Sequence, residues 1–456
     1  MRILLVHPPV GVNVVGAGIL FLGEPLALET IAATVPEHEV RILDMRVENE
    51  WECLGREIAE FDPDMVGTTA LTTETYQARR VLERAKSQKP SLFSVVGGQH
   101  ATLEPGDFDK PYIDFIVIGE GVDTFPELVQ ACLNKREFGN ILGLACRRGN
   151  ELVINSPRPP CTNLDSVPFP ARHLTSRYRE SYFRGTWRPY ACMVTSRGCP
   201  FRCNFCSVWR SEQGKYRTRS AENVLQELKL IKEDKVGISD DNFLHDTKRA
   251  EEIYNLIKKE GIEKKYKLIG RSDTIIRRPD LMEKWREIGL EIMVVGVESF
   301  RDEDLKGYNK KTTVEKNNEA IRILQANEVT VSAHFVIHQD YEEKDFQALG
   351  DYVEDMDLKQ PVFCVLTPLP GTGLHEETKD LLLTRDYEKF DFMHSVLPTK
   401  INLDVFHEHL LNLYKRCYLM KGNPSLSAFL STDIIKQGFK KFYGSEEEEA
   451  SVLQNI

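Results

Sequence analysis

The chain has 456 residues, of which 41% are hydrophobic and 28% are charged, a composition typical of a globular enzyme. Its formal net charge of -11 argues against a nucleic-acid partner, because phosphate binding depends on clustered Lys and Arg side chains. No run approaches the ~18 apolar residues that a transmembrane segment needs. At about 150 residues per domain, the length predicts two or three domains.

Cysteine usage indicates the compartment. The chain contains ten cysteines, and three of them fall between residues 199 and 206. This distribution is not a disulfide framework, and the amino terminus runs into Pro8-Pro9 too early for a secretory signal. We therefore expect a reducing, cytoplasmic location and one metal site.

The first domain is predicted over residues 1–138, where short apolar runs alternate with amphipathic stretches. This alternation predicts a doubly wound, Rossmann-like parallel sheet, in which ligands bind beyond the carboxyl ends of the strands. The predicted strands are Ile3–Val6, Val40–Asp44, Met65–Thr69, Phe93–Val96 and Phe115–Ile118. A nicotinamide cofactor is disfavoured, because the turn after the first strand lacks Gly-x-Gly-x-x-Gly. A sheet whose glycines only make turns remains an alternative.

Residues 139–189 are predicted to be a connector, with a hairpin signal at Arg148-Gly149-Asn150 followed by a proline-rich stretch. Over residues 190–372 the strand–helix alternation resumes, and six repeats predict a partial (β/α)6 barrel. Its predicted strands are Ala191–Ser196, Lys235–Ser239, Tyr266–Arg271, Glu291–Val297, Thr330–Ile337 and Phe363–Thr367. Residues 373–456 are predicted to form a mostly helical C-terminal region.

The strongest chemical signal is the segment Ser196–Cys206, called here the cysteine loop, in which Cys199, Cys203 and Cys206 are spaced Cys-x3-Cys-x2-Cys. Three thiolates can ligate three irons of a [4Fe–4S] cluster and leave the fourth iron open to another ligand. A structural zinc site is the alternative. It would need a fourth Cys or His at close spacing, and the nearest histidines are distant in sequence.

The cysteine loop resembles the radical S-adenosylmethionine (SAM) superfamily, in which the open iron binds SAM and reductive cleavage yields a 5′-deoxyadenosyl radical. Phe205, just before the last cysteine, matches the family pattern. Residues at the ends of three later strands resemble the SAM-binding elements of this family, although each could instead be a helix cap or a buried ion pair. The predicted SAM-binding residues are Ser239, Asp240, Asp241, Arg271 and Glu298.

In the first domain, the segments Gly97–Ala101 and Gly119–Phe125 resemble the cobalamin-binding domain of the B12-dependent radical SAM class, and the connector segment Asp165–Arg172 is typical of that class. The resemblance implies that cobalamin binds at the carboxyl ends of the strands. Domains that ligate cobalt through histidine use Asp-x-His-x-x-Gly, whereas Asp44–Asn49 contains no histidine, which implies cobalt without a histidine lower ligand. The predicted cobalamin-binding residues are Thr68, Thr69, Gly97, Gly98, Gly119, Glu120 and Gly121.

Two segments, Phe335–Asp340 and Leu366–Thr372, look similar to the hopanoid C-3 methylase branch, which methylates an unactivated carbon of a polycyclic isoprenoid. The resemblance implies a C-methyltransferase in which one SAM methylates cobalamin. A second SAM yields the radical that activates the substrate for capture of the methyl group from methylcobalamin.

Alternatives to this function are a non-methylating B12 radical SAM enzyme that forms rings or rearranges its substrate, and a non-catalytic cobalamin or iron–sulfur sensor. The expected partners are a small-molecule or lipid substrate and an electron donor such as flavodoxin or ferredoxin. A lipid substrate would imply a membrane-peripheral location.

Overall fold

The computed structural model describes residues 1–15, 21–149 and 151–418. Their contacts divide them into two compact units. The first unit comprises residues 1–12, 23–181 and 210–213, and the second comprises the other described residues. The turn residue Asn150 and the predicted helical tail from residue 419 onward lie outside the described residues.

The strands before residue 160 largely confirm the predicted series. They are β1 (Arg2–His7), β2 (Phe21–Leu22), β3 (Glu39–Asp44), β4 (Met65–Thr69), β5 (Phe93–Gly97), β6 (Phe115–Val117), β7 (Leu144–Arg148) and β8 (Glu151–Ile154). The helices of the first unit are α1 (Leu26–Ala33), α2 (Trp51–Phe61), α3 (Thr75–Gln88), α4 (Gln99–Leu103) and α5 (Gly121–Asn134).

A parallel sheet in the order β3-β1-β4-β5-β6 forms the centre of the first unit and confirms the doubly wound class. Its strands are apolar on both faces because helices cover both sides. Ile3 and Leu5 of β1 pack into one hydrophobic cluster, whereas Leu4 and Val6 pack into another. All five carboxyl ends therefore lie at one edge of the sheet.

The predicted hairpin extends this sheet. β7 pairs antiparallel with β6, and β8 pairs antiparallel with β7. The sheet of the first unit therefore continues past residue 138, where we placed the end of the first domain. The domain boundaries themselves stay a prediction.

The second unit is built on a longer strand series. Its later strands are β9 (Phe183–Arg184), β10 (Ala191–Met193), β11 (Ser196–Arg197), β12 (Arg217–Thr218), β13 (Lys235–Ile238), β14 (Lys265–Gly270), β15 (Leu290–Glu298), β16 (Thr330–Ile337) and β17 (Gln360–Val365). Six of them form a parallel sheet in the order β10-β13-β14-β15-β16-β17, which confirms the six-stranded partial barrel. The short β2 pairs antiparallel with β9, and β11 pairs antiparallel with β12.

The helices of the second unit alternate with these strands. They are α6 (Val208–Ser211), α7 (Ala221–Leu230), α8 (Thr247–Glu260), α9 (Ser272–Arg277), α10 (Pro279–Glu287), α11 (Asp302–Gly307), α12 (Val314–Ala326), α13 (Glu343–Asp355), α14 (Gly373–Thr378) and α15 (Leu403–Tyr418). Local signals set several of their starts: the Ser220 side chain accepts a hydrogen bond from the Asn223 amide at α7, and Thr313 caps α12 in the same way. The helical C-terminal region is confirmed in its described part by α14 and α15, which are connected by short turns and 3-10 helices.

Within the described residues, no helix has the length and apolarity required to cross a bilayer.

Gly237 in β13 provides a test of barrel packing. A Cβ atom at this position would come within 1.6 Å of the hydroxyl of Tyr190, which is buried. We expect Gly237→Ala to lower the free energy of unfolding by about 1–3 kcal/mol, because Tyr190 must leave its packed position. Urea unfolding measures the change. Gly307→Ala is the control, since its Cβ would meet no atom within 4 Å; equal losses in the two variants would contradict this account of the packing.

Candidate functional site

The cysteine loop follows β10 and is held at both of its ends. At its far end, the Asn204 amide donates to the Tyr308 carbonyl at 3.3 Å, and the Asn309 side chain donates to the Arg202 carbonyl at 2.8 Å. The Leu374 amide in turn donates to the Asn204 carbonyl at 3.3 Å. Groups from the turn after α11 and from the first turn of α14 therefore fix the part of the loop that carries Cys203 and Cys206.

Asp240 supports the start of the cysteine loop. Its carboxylate is fully buried and accepts hydrogen bonds from the Thr195 amide, the Thr195 hydroxyl and the Ser196 hydroxyl, each at 2.6 Å. The Arg249 guanidinium lies 3.6 Å away and also donates to the Thr195 carbonyl. These contacts give Asp240 a supporting position beneath the loop. Its predicted role in binding SAM stays a prediction, which the contacts do not favour.

The neighbours of Asp240 lie closer to the thiols. The Asp241 carboxylate accepts a hydrogen bond from the Gly198 backbone amide at 2.9 Å. The side-chain amide nitrogen of Asn242 donates to the Cys199 sulfur at 3.9 Å. Ser239 is partly exposed, and its backbone amide donates to the Met193 carbonyl. The segment after β13 therefore lies directly against the cysteine loop, as its predicted position at the strand end requires.

The environment of the thiols opposes ionisation. Burial raises the pKa of Cys206 to about 11 and also raises the pKa of Cys203. The cations of Lys310 and Arg271 act in the opposite direction on Cys203. The charge of Cys199 raises the pKa of both other thiols, so the three groups are close enough to interact. Because iron binds thiolate, loading of this site releases protons and is favoured by higher pH.

The three thiols suit a cluster in their chemistry. In the described part of the chain, no group of three or more Cys, His, Asp or Glu side chains has the spacing to hold a single metal ion. That finding does not bear on a [4Fe–4S] cluster, whose three protein thiolates bind three different irons.

Arg271 and Glu298 are brought together by a residue that sequence analysis missed. The Lys310 ammonium pairs with the Glu298 carboxylate at 2.6 Å, and the Lys310 carbonyl accepts a hydrogen bond from Arg271 at 2.9 Å. The Arg271 guanidinium also lies 3.6 Å from the ring centre of Phe201 in the cysteine loop. All three charged residues are buried. This arrangement joins the predicted SAM residues of β14 and β15 to the cysteine loop.

Several buried polar atoms in or near the cysteine loop have no hydrogen-bond partner among the described residues. They include the side-chain oxygens of Asn204 and Asn242 and the hydroxyl of Tyr308. The Tyr308 ring meets Phe205 edge-on at 5.7 Å between centres. A buried polar atom without a partner is costly, and a ligand as rich in polar groups as SAM would satisfy such atoms. The residues therefore fit a cluster with SAM beside it.

In the first unit, the predicted cobalamin residues all lie at the carboxyl edge of the sheet. The backbone of Gly98 has φ of 101°, and a Cβ there would come within 2.6 Å of the Thr69 hydroxyl, so only glycine fits. The Thr68 hydroxyl donates to the Val6 carbonyl at 2.9 Å, and Glu120 accepts from the Cys161 amide at 2.6 Å. The partly or fully exposed residues of this edge are Thr69, Gly97, Gly98, Gly119, Glu120 and Gly121. The edge thus offers an open backbone surface for a large ligand.

Asp44–Asn49, the segment in which other cobalamin domains carry the cobalt-binding histidine, contains an ion pair. Asp44, fully buried at the end of β3, pairs with Arg46 through contacts of 2.6 and 2.9 Å. Burial alone would raise the pKa of Asp44, but the Arg46 guanidinium more than offsets this and the pKa is lowered. The segment Asp44–Asn49 itself contains no histidine, whereas His7 of the neighbouring strand β1 pairs in register with Asp44. The absence of a histidine lower ligand stays a prediction.

Comparison with known proteins identifies the family. Residues 12–129 match the model of the B12 binding domain, and residues 193–353 match that of the radical SAM superfamily. The chain is 32% identical over 428 residues to the hopanoid C-3 methylase of Methylococcus capsulatus, an alignment that covers 91% of this chain and 81% of that protein. The chain belongs to the B12-binding radical SAM enzymes. The predicted family and cofactors, a [4Fe–4S] cluster, SAM and cobalamin, are thereby confirmed.

Other relatives broaden the range of chemistry. The chain is 29% identical to the anaerobic magnesium-protoporphyrin IX monomethyl ester cyclase of Cereibacter sphaeroides, over 81% of this chain and 62% of that protein. Among solved structures, the cobalamin-dependent SAM radical enzyme OxsB, with aqua-cobalamin and SAM bound, superposes with a TM-score of 0.75 at 17% identity. That superposition covers 100% of this chain and 74% of OxsB, and it shows the shared fold.

Asp240 gives the sharpest test of the site. We expect Asp240→Asn to lower the iron content of the reconstituted protein at least threefold. The buried Arg249 guanidinium then loses its counter-charge, and the start of the cysteine loop loses a hydrogen-bond acceptor. Breaking a buried ion pair of this kind costs about 3–5 kcal/mol. Iron and sulfide analysis measures the loss. Asp340→Asn, at a carboxylate that is 80% exposed, is the control. Unchanged iron content in Asp240→Asn would contradict the supporting role of this carboxylate.

Proposed function

We propose that this B12-binding radical SAM enzyme is a C-methyltransferase that acts on an unactivated carbon. The observation that carries the proposal is the continuity of the similarity to the hopanoid C-3 methylase, which spans both the cobalamin-binding and the SAM-binding parts of the chain. A further relative, from Pyrococcus horikoshii, is also named a methyltransferase. The transfer of a methyl group from methylcobalamin to a carbon radical uses both cobalamin and SAM, and the family assigns both cofactors to this chain.

When bound, the cofactors supply the electron, the radical and the methyl carrier, and the protein positions and shields them. In this proposal Cys199, Cys203 and Cys206 ligate the cluster. Asp240 and Asp241 hold the loop that carries these ligands. The side chains of Arg271, Glu298 and Lys310 are placed to bind the charged ends of SAM, because each end then meets an opposite charge.

The apolar side of the cysteine loop would keep water away from the reacting groups. Tyr308, Val336, Leu366 and Leu374 form a small buried cluster against which Phe205 packs. Exclusion of water protects a reactive radical from side reactions. A hopanoid-like isoprenoid lipid is one candidate substrate, by analogy with the relative, and a smaller molecule is the other.

The alternative is a non-methylating enzyme, and it is favoured by the similarity to the magnesium-protoporphyrin IX monomethyl ester cyclase. That enzyme is named for ring formation. The two functions differ in the fate of the SAM methyl group, which provides the experiment.

The experiment follows methyl-labelled SAM. The chain is reconstituted anaerobically with iron, sulfide and cobalamin, and reductant is added. A methylase is expected to place label on the bound cobalamin and to release S-adenosylhomocysteine as well as 5′-deoxyadenosine. Cys203→Ala is the matched control, which should lose deoxyadenosine formation while retaining cobalamin. Deoxyadenosine without any labelled cobalamin or S-adenosylhomocysteine would exclude the methylase and favour the cyclase-like alternative.

A further inference from the structure

The inner face of the partial barrel carries a cluster of basic side chains that the cofactor-binding residues do not account for. Successive residues of a strand point to opposite faces. Tyr266 and Leu268 of β14 pack in the main hydrophobic core with Ala333 and Phe335 of β16. The intervening residues, which include Lys267 and His334, therefore point to the inner face. Arg184 of β9 reaches the same face, because its side chain donates to the Ser332 hydroxyl of β16 and its charge acts on both Lys267 and His334. The basic residues at this face are therefore Arg184, Lys267 and His334.

The inner face borders open space. Helices cover the outer face of this sheet. Several residues of its inner face are nevertheless partly exposed rather than buried. These residues are Ile269, Gly296, His334, Val362 and Cys364. They come from the four neighbouring strands β14, β15, β16 and β17 and so lie on one face of the sheet.

The three basic side chains lack acidic partners among the described residues. Lys267, only 6% exposed, makes no hydrogen bond or ion pair with any of them. Arg184 makes one side-chain hydrogen bond, to the Ser332 hydroxyl at 3.4 Å. The Nε2 atom of His334 is buried without a partner. Because an unpaired buried cation costs several kcal/mol, the Lys267 ammonium calls for an anion, and the partly exposed Arg184 guanidinium adds a second positive charge near it.

The nearby carboxylates are already engaged. The Asp240 carboxylate accepts hydrogen bonds from Thr195 and Ser196, and the Glu298 carboxylate is paired with the Lys310 ammonium. The Glu298–Lys310 pair lies over Gly296, the residue that pairs in register with His334. The basic cluster thus begins beside the SAM-binding residues and continues along the inner face away from them.

We propose that Arg184, Lys267 and His334 form a subsite inside the partial barrel for an anionic group of the substrate, a carboxylate or a phosphate. This inference rests on the proposed function, since it assigns a substrate class to that reaction. An arginine fork and an ammonium suit both kinds of anion, and the imidazole adds a hydrogen-bond donor. An uncharged polycyclic lipid has no group for this subsite, whereas a lipid or small molecule that ends in a carboxylate or phosphate does.

The charge of the subsite depends on pH. Burial, reinforced by Arg184, lowers the pKa of Lys267 to about 7, and the nearby Cys192 and Asp240 oppose this shift. Burial lowers the pKa of His334 to about 3, with further contributions from Arg184, Lys267 and Lys310, so its ring is neutral at pH 7. Anion affinity should therefore be highest below pH 7 and should fall as the Lys267 ammonium loses its proton above pH 7.

The test measures sulfate binding by calorimetry on the full chain, reconstituted with its cluster and cobalamin and with SAM present to fill the SAM site. Sulfate keeps its charge over this pH range. We expect one sulfate per chain, with affinity that falls about tenfold per pH unit above pH 7. Lys267→Met should weaken binding at least tenfold. Lys265→Met is the matched control, because Lys265 lies two residues away on β14, is exposed and pairs with Glu291 at 2.5 Å.

Methyl phosphate and acetate distinguish the two sources of the anion. Tighter binding of methyl phosphate assigns a phosphate-bearing substrate, and tighter binding of acetate assigns a carboxylate. Absence of binding by all three anions, or equal affinities in the Lys267→Met and Lys265→Met variants, would overturn the proposal. If Lys267→Met fails to fold, Arg184→Gln and the pH series on the unaltered chain decide it. No turnover is needed, so a chain that binds sulfate but transfers no methyl group would refute the proposed function alone.

Discussion

The buried carboxylate of Asp240 is the contact on which the geometry of the cysteine loop depends. It accepts hydrogen bonds from one backbone amide and two hydroxyl groups at the start of the loop, and it lies 3.6 Å from the Arg249 guanidinium. A charged acceptor in a buried setting makes hydrogen bonds of roughly twice the strength of neutral ones, and their directions are fixed by the strand that carries it. The three thiols, which fall within eight residues of the cysteine loop, can hold a cluster only if that loop has one conformation.

Charge inside the second unit is arranged in two ways. Around the cysteine loop, Lys310 pairs with Glu298, and Arg271 pairs with the Asp273 carboxylate at 3.0 Å and donates to the Lys310 carbonyl, which keeps these side chains in place before any ligand binds. Farther along the inner face, Lys267 has no such partner among the described residues. Paired groups position a ligand, whereas an unpaired buried charge requires one. This difference is the reason for placing a substrate subsite in the second region.

Sequence patterns predicted the elements that depend on local signals. The alternation of apolar runs and amphipathic stretches gave both parallel sheets, and the spacing of Cys199, Cys203 and Cys206 gave the cluster loop. The role of Asp240 could not be predicted in this way. In the sequence, its carboxylate suits an ammonium ligand as well as it suits a structural role, and only the fold shows that its oxygens accept hydrogen bonds from Thr195 and Ser196. The role of Lys310 could not be predicted from the sequence, because this residue belongs to no recognisable motif. It lies in a turn between two residues with left-handed backbone conformation. The hairpin was predictable from its turn, but its pairing with β6 is a long-range contact that no local signal encodes.

The central claim is that the cysteine loop holds a [4Fe–4S] cluster with one iron open to SAM. Electron paramagnetic resonance of the anaerobically reconstituted and reduced chain, recorded with and without SAM, tests it most directly. The account predicts a reduced [4Fe–4S] signal whose g-values shift when SAM is added, because SAM ligates the open iron. A signal that SAM leaves unchanged, or a site that retains zinc in place of iron, would contradict it.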